Sequence, residues 1–318
     1  MPSHGQLPCV RPDVLRYDVA MGNVRTALLP DLAVIAVTGR DARSFLQGQL
    51  SNDILGLERH PGMLAASCNR QGRVLATVRL AADGDDVLLV LHRKLATTLV
   101  AQLSAYVLRA DVRFQDRSRL FEVAGLLDAE PDAHWSQGAA AAAGLAMLVA
   151  SPRRILLAGT RPALDAALAA IPRTRPEDWD RVCVTDGEPS VMPATAALWL
   201  PQMLNLDLIG GISFSKGCYV GQEVVARAQH LGRLKRRTLR YVGPPDVALQ
   251  PAQALFSGDA LAAQVVVAAR DETSTQCLAV VELRFCSDLL GTRPGGSEFV
   301  PADLPYAIPA PATIDAED

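Results

Sequence analysis

Lys216, Cys218, Tyr219, Gln222 and Glu223 place an amine, a thiol, a phenol, an amide and a carboxylate within Lys216-Gly217-Cys218-Tyr219-Val220-Gly221-Gln222-Glu223. A structural strand would alternate apolar side chains, whereas this run carries one of each reactive type. Gly210, Gly211, Gly217 and Gly221 supply positions where the backbone can adopt positive φ or admit a close ligand. In an extended strand Lys216 and Cys218 face the same side, and a cation there lowers a thiol pKa from its ordinary ~8.5. Cys218 thus reads as a candidate reactive thiol with Lys216 beside it; a small core filler is the other reading of a lone cysteine. Glu223 reads as a general base or as an ion-paired surface group. Arg227, Arg233, Lys235, Arg236, Arg237 and Arg240 follow, with no acid between Glu223 and Asp246. Such a cluster suits a carboxylate tail, a phosphate or an RNA backbone, or it guards a strand edge against non-native pairing.

These residues need a frame to hold them. The 318 residues exceed one compact core, so two or three packed units are expected. Hydrophobic residues make up 49% and charged residues 20%, the proportions of a globular chain. The net charge of −3 excludes a global basic field that would recruit nucleic acid. Six cysteines lie scattered with no CxxC pair, which argues against a zinc site or a disulfide framework. Residues 1–11 lack the apolar core of a signal peptide, and no apolar run approaches the ~20 residues of a membrane span. A cytoplasmic chain with free thiols is expected.

Leu32 to Val37 and Val87 to Leu91 read as strands. Arg40 to Leu50 reads as a helix with Ala42, Phe45, Leu46 and Gln49 on one face, and Lys94 to Arg109 as a second helix. Asn69-Arg70-Gln71-Gly72 has the composition of a hairpin turn. Leu120 to Leu126 and Ile155 to Ala158 follow as strands, and Thr160 with Pro162 starts a helix. The Ala-, Asp- and Gly-rich stretch 128–144 reads as a variable surface insertion. From about Arg236 short strands divided by turns predict a small β-barrel or sandwich, and residues 291–318 read as a loosely attached tail.

Lys-Gly-Cys-Tyr-x-Gly-Gln-Glu followed by Val225-Ala226-Arg227 resembles the signature of the YgfZ family. Gly39 to Asp53 resembles that family's N-terminal helix motif, and Gln71 to Ala76 its following hairpin. Trp179, Arg181 and Gly187-Glu188-Pro189 resemble its central segment, and Leu200 to Leu206 its approach to the signature. The blocks keep the family's order over residues 32–240. The resemblance implies an α+β fold like the glycine-cleavage T-protein: a three-subdomain ring with mixed or antiparallel sheets and a small C-terminal β-barrel. The expected units are a first α+β subdomain over 1–117 completed by 178–235, a ferredoxin-like one over 118–177, and a barrel over 236–290.

The resemblance further implies tetrahydrofolate, or a one-carbon derivative, in a central channel. Trp179, Gln202, Asn205, Lys216, Tyr219, Gln222, Glu223 and Arg227 are its candidate binding residues, with Cys218 and Lys216 as the candidate catalytic pair and no metal site. Cys218 would act as a redox or cluster-transfer thiol. The implied role is assistance to the assembly or repair of iron–sulfur clusters in client enzymes, including a radical enzyme that modifies tRNA, by a monomer with no membrane partner and indirect tRNA contact. The alternative is a folate-dependent one-carbon transferase acting on RNA or a small molecule. One departure bears on chemistry. Aminomethyltransferases of this fold carry acids in the strand that reads Gly72-Arg73-Val74-Leu75-Ala76-Thr77-Val78 here, so no glycine-cleavage activity is expected.

Overall fold

The computed structural model describes residues 23–131, 135–231, 234–293 and 295–309. Its first part runs Arg25–Leu28 (β1), Leu32–Thr38 (β2), Ala42–Gln47 (α1), Met63–Cys68 (β3), Val74–Asp83 (β4), Asp86–His92 (β5), Arg93–Ser104 (α2) and Arg113–Asp116 (β6). Phe121–Leu127 (β7), Gln137–Ala142 (α3), Leu145–Ser151 (β8), Arg154–Thr160 (β9), Arg161–Ala167 (α4) and Pro176–Thr185 (α5) follow. Gln222–Leu231 (α6) precedes Arg236–Gly243 (β10), Ala254–Ser257 (β11), Ala260–Arg270 (β12), Thr275–Glu282 (β13), Leu290–Gly291 (β14) and Glu298–Ala302 (β15).

The strands form a five-stranded sheet β3-β4-β5-β2-β6, a four-stranded sheet β1-β7-β9-β8, and a closed barrel β10-β13-β12-β11-β14-β15. Every paired strand among the described residues is antiparallel to its neighbour. β2 is buried on both faces, whereas β4 alternates buried and half-buried residues because one edge of its pleat faces other units. The β3–β4 turn is built by Asn69, whose Oδ1 accepts from the Gln71 and Arg73 amides. The largest core joins this first sheet to Val266, Val267, Leu278 and Val280 of the barrel, so the two units share apolar surface.

Several boundaries differ from those the sequence suggests. β1 pairs with β7, so the first strand among the described residues belongs to the second sheet and not to the first. The first helix is only Ala42–Gln47, and the second ends at Ser104; Leu108, at 88% exposure, has no apolar partner to extend it. The stretch 128–144 is no mere surface insertion. Ala129, Trp135 and Ala140 enter the second core, and Ser136 caps α3 by accepting from the Ala139 amide. Nor does a loose tail begin at residue 291, because β14 and β15 close the barrel through Phe299, which is fully buried. Beyond the barrel, Tyr306 Oη donates to the Gly187 carbonyl at 2.7 Å. Residues 1–22 and 310–318 lie outside the described residues, as does Arg233. No helix among the described residues is long and apolar enough to cross a membrane.

Candidate functional site

A cavity of about 140 Å³ lies where the three sheets meet, lined among others by Thr77 and Arg79 of β4, His92 of β5, Leu156 of β9, Trp179 of α5 and Val267 of β12. α5 supplies one wall, through Pro176, Trp179, Asp180 and Cys183. Pro176 occupies the first turn, and Asp178 accepts from the Arg175 amide and the Thr174 hydroxyl. Trp179 then packs against Gly125 of β7, the one residue type that lets the indole lie so close. The helix ends in a Schellman arrangement: Gly187 has φ +69°, its amide donates to the Val184 carbonyl, and the Glu188 amide donates to the Cys183 carbonyl. A Cβ at Gly187 would lie 2.6 Å from Tyr306 Oη. This reversal is what turns Glu188 into the cavity.

Glu188 is held there by two arginines. Arg79 reaches it at 2.7 Å and Arg154 at 2.5 Å. Burial alone would raise the carboxyl's pKa, but the two guanidinium groups outweigh it and hold the value near 2. Arg154 also pairs with Asp186 at 2.6 Å and donates to Cys183 Sγ at 2.9 Å, with its guanidinium carbon 5.1 Å from the Trp179 ring centroid. Arg79 additionally donates to the carbonyls of Gly62, Val149 and Ala150, which ties the first sheet to the second. Burial pushes the Cys183 thiol up to about 12, so it stays protonated. A second cavity of about 340 Å³ shares Leu64, Arg79 and Glu188 with the first.

The other edge of the Trp179 cavity is acidic. Asp31 and Asp180 both line it with their outer edges open to solvent. Asp180 is nonetheless crowded enough that burial raises its pKa to about 6, with Asp31 and Glu177 adding to the effect. His92 beside them is lowered, chiefly by burial, with Asp31 opposing. Its Nδ1 accepts from the Lys94 amide at 3.3 Å, so the neutral ring carries its proton on Nε2.

Of the candidate binding and catalytic residues read from the sequence, Trp179 alone among the described residues lines this cavity. The signature is not an extended strand, and Lys216 does not face Cys218. The Lys216 ammonium instead donates to the carbonyls of Gln47, Leu50 and Asn52 at 2.6, 2.7 and 2.6 Å, with the Tyr219 ring 5.3 Å away. Cys218 is exposed, and Tyr219 behind it is buried. Gln222 Oε1 accepts from the Tyr219 amide and opens α6. Gly221, at φ +83°, allows this turn to press on the β3–β4 hairpin, since a Cβ there would sit 2.4 Å from the Asn69 carbonyl oxygen.

The remaining candidates lie outside this cavity. Glu223 and Arg227 pair with each other at 2.8 Å on the solvent side of α6. Gln202 is fully buried and donates to the Val225 carbonyl. Asn205, at φ +57°, donates to the Thr238 carbonyl and to Tyr306 Oη. The basic run is divided as well: Arg237 makes a buried two-pronged pair with Asp207, Arg236 pairs with Glu282, and Arg240 donates to Gln276. Asp31, Arg79, His92, Asp180 and Glu188 were not picked out as site residues. Arg79 was legible as a charge inside an otherwise apolar strand, and Glu188 as an acid in a turn after a helix; the acidic edge had no local signal.

No family model matches the chain. It is 31% identical over 233 residues to the tRNA-modifying protein YgfZ of Vibrio vulnificus strain YJ016, covering 70% of this chain and 72% of that one. The chain belongs to the YgfZ family. A relative of the same name from Escherichia coli O157:H7 is 30% identical over 226 residues, with 65% of this chain and 68% of that one covered. Among solved structures, the glycine cleavage system aminomethyltransferase T from Bartonella henselae superposes with a TM-score of 0.66 at 12% identity. That match covers 89% of this chain and 86% of the other, which shows a shared fold. Family and fold thus agree with the resemblance carried by the signature and its ordered blocks. Within that fold, β4 presents Thr77, Val78 and Arg79 to the cavity and no carboxylate, while Asp83 at the strand's end pairs with Arg117.

Proposed function

We propose that the cavity beside Trp179 binds tetrahydrofolate or a one-carbon derivative, and that the chain is an accessory factor for iron–sulfur clusters in client enzymes, a tRNA-modifying radical enzyme among them. The observation that carries the binding half is the cavity itself. Its volume suits one flat ring system, with Trp179, Leu156 and Val267 as apolar walls and the rest of a longer ligand outside. The ring's complement is donor-bearing, because Asp31 and Asp180 offer acceptor oxygens at one edge and the Glu188 carboxylate is already neutralised by arginines. A 2-amino-substituted, N–H-rich heterocycle such as a pterin fits that acceptor set. Bound there, the folate would supply its one-carbon or redox chemistry, while these residues orient the ring.

The accessory reading rests on the separation of thiol and cavity. Cys218 is exposed on a loop that does not line the cavity, which suits contact with a client's nascent cluster. β4 presents no carboxylate to the cavity, so the strand acid that the resemblance assigns to aminomethyltransferases of this fold has no counterpart here. Calorimetric titration of the full chain with tetrahydrofolate tests the binding half, and absence of saturable heat rejects it. Cys218→Ser in a deletion strain tests the thiol half. Loss of iron–sulfur enzyme activity is expected, and full restoration would remove the thiol's role. Turnover of a one-carbon folate by the purified chain would favour the transferase alternative.

A further inference from the structure

The Lys216 ammonium has its three donors matched to three main-chain carbonyls, those of Gln47, Leu50 and Asn52, all within 2.7 Å. This is the geometry in which a protein holds a small cation. Gln47 is the last residue of α1, whose C-terminal end carries partial negative charge. The Tyr219 ring face closes one side at 5.3 Å, and Asp53 is the one acid that acts on the amine. No carboxylate pairs with Lys216 among the described ion pairs, so the carbonyls and the ring are its partners.

The rest of the loop shows what the cage holds. Ser51 Oγ donates to the Gly211 carbonyl, the Ser213 amide donates to the Ser51 carbonyl, and Asn52 Nδ2 donates to both Leu64 and Gly210. Residues 210–213 are therefore stitched to the 51–52 turn, and Lys216 adds the final stitch. On the far side Tyr219 is buried, and Gly221 is pressed on Asn69. Between Lys216 and Tyr219 only Gly217 and Cys218 remain, and both are exposed.

We infer that Lys216 is a tethered cation, a positioning residue whose charge in this cage fixes the two-residue span that displays Cys218. It does not activate the thiol, because its nitrogen is turned into the protein. The inference rests on the reading of Cys218 as the working thiol, but its tests use no folate and no client, so it can fail while that reading stands.

The experiment is replacement of the tether by a free cation. Lys216→Ala opens the cage and leaves three carbonyls without a donor. Amide hydrogen exchange at Gly217 to Tyr219 is expected to accelerate about tenfold or more, since local opening tracks lost anchoring. Alkylation of Cys218 is expected to shift relative to Cys286, an exposed thiol that serves as internal reference. Ammonium or methylammonium chloride should return both readouts towards native values, and tetramethylammonium at equal ionic strength should not. A merely space-filling role would be insensitive to cation identity. Lys216→Met, which keeps the chain and removes the charge, should show the loosened span without rescue by ammonium, because its own chain fills the cage. Native exchange rates in Lys216→Ala, or equal rescue by all three cations, overturn the inference. Folding of Lys216→Ala only in ammonium would support it, whereas unfolding of both variants in every salt would overturn a local positioning role.

Discussion

Arg154 lies over the Trp179 ring, 5.1 Å from its centroid, while its nitrogens reach Asp186, Glu188 and Cys183. Only 1% of its side chain is exposed, so a strand residue of the second sheet locks the helix that walls the cavity. Arg154→Met leaves two carboxylates short of a buried partner. Loss of about 3 kcal/mol is expected from removing one member of a buried ion-pair network. Urea unfolding of the variant measures it, and a loss below about 1 kcal/mol would show that Arg79 alone suffices.

Asp180 gives the stability a pH dependence of known sign. Its folded pKa of about 6 stands above the ordinary 3.8, so the folded chain holds the proton more tightly than the unfolded one. That contribution is whole below pH 3.8 and lost as pH rises through about 6. Glu188 runs the other way: with a folded value near 2 against 4.5, its contribution is present above pH 4.5 and lost as pH falls through about 2. Over the interval between the two Asp180 values, the melting temperature of the native chain minus that of Asp180→Asn should fall as pH rises. A constant difference would mean that the Asp180 carboxyl is not crowded as described.

Gly125 is predicted to be intolerant. An alanine Cβ there would sit 2.3 Å from Trp179 Cε3 in the packed sheet. Gly125→Ala should cost about 1–3 kcal/mol, as overpacking does. It should also move the indole, which near-ultraviolet circular dichroism reports. An unchanged spectrum with unchanged stability would refute the tight contact.

Ligand affinity should separate the cavity from the signature helix. Trp179→Ala should weaken tetrahydrofolate binding about tenfold, the scale of a lost aromatic contact. Glu223→Ala should change it less than about twofold, because Glu223 is 85% exposed and, among the described residues, pairs with Arg227. Calorimetry on both variants decides, and the reverse order would move the ligand to the signature.

Much of the frame was legible because its signals are local. β2 and β5 announced themselves as apolar runs, the Asn69 turn by its composition, and the barrel by short strands separated by turn residues. The family followed from motif blocks in order. The site was less legible, since it is assembled across long sequence separations. Asp31, His92 and Asp180 come from a turn, a strand end and a helix, and no spacing rule joins them. Lys216 was misplaced for a different reason. The sequence shows which groups are near each other along the chain, but not that carbonyls some 164 to 169 positions away claim the amine. Gln202 and Asn205 stand out as polar residues among apolar ones; their amide nitrogens donate to main-chain carbonyls, while Gln202 Oε1 and Asn205 Oδ1 are buried with no hydrogen-bond partner among the described residues.

Leu64, Arg79 and Glu188 border both cavities, so the two chambers share one apolar side chain and an ion pair. Whatever fills one chamber and shifts Glu188 also reshapes the wall of the other. Thermodynamic reciprocity then requires that an occupant of the second chamber change the affinity of the first by the same factor. Any coupling between the two chambers would have to pass through the Arg79–Glu188 contact, which Arg79→Lys would weaken without emptying either chamber.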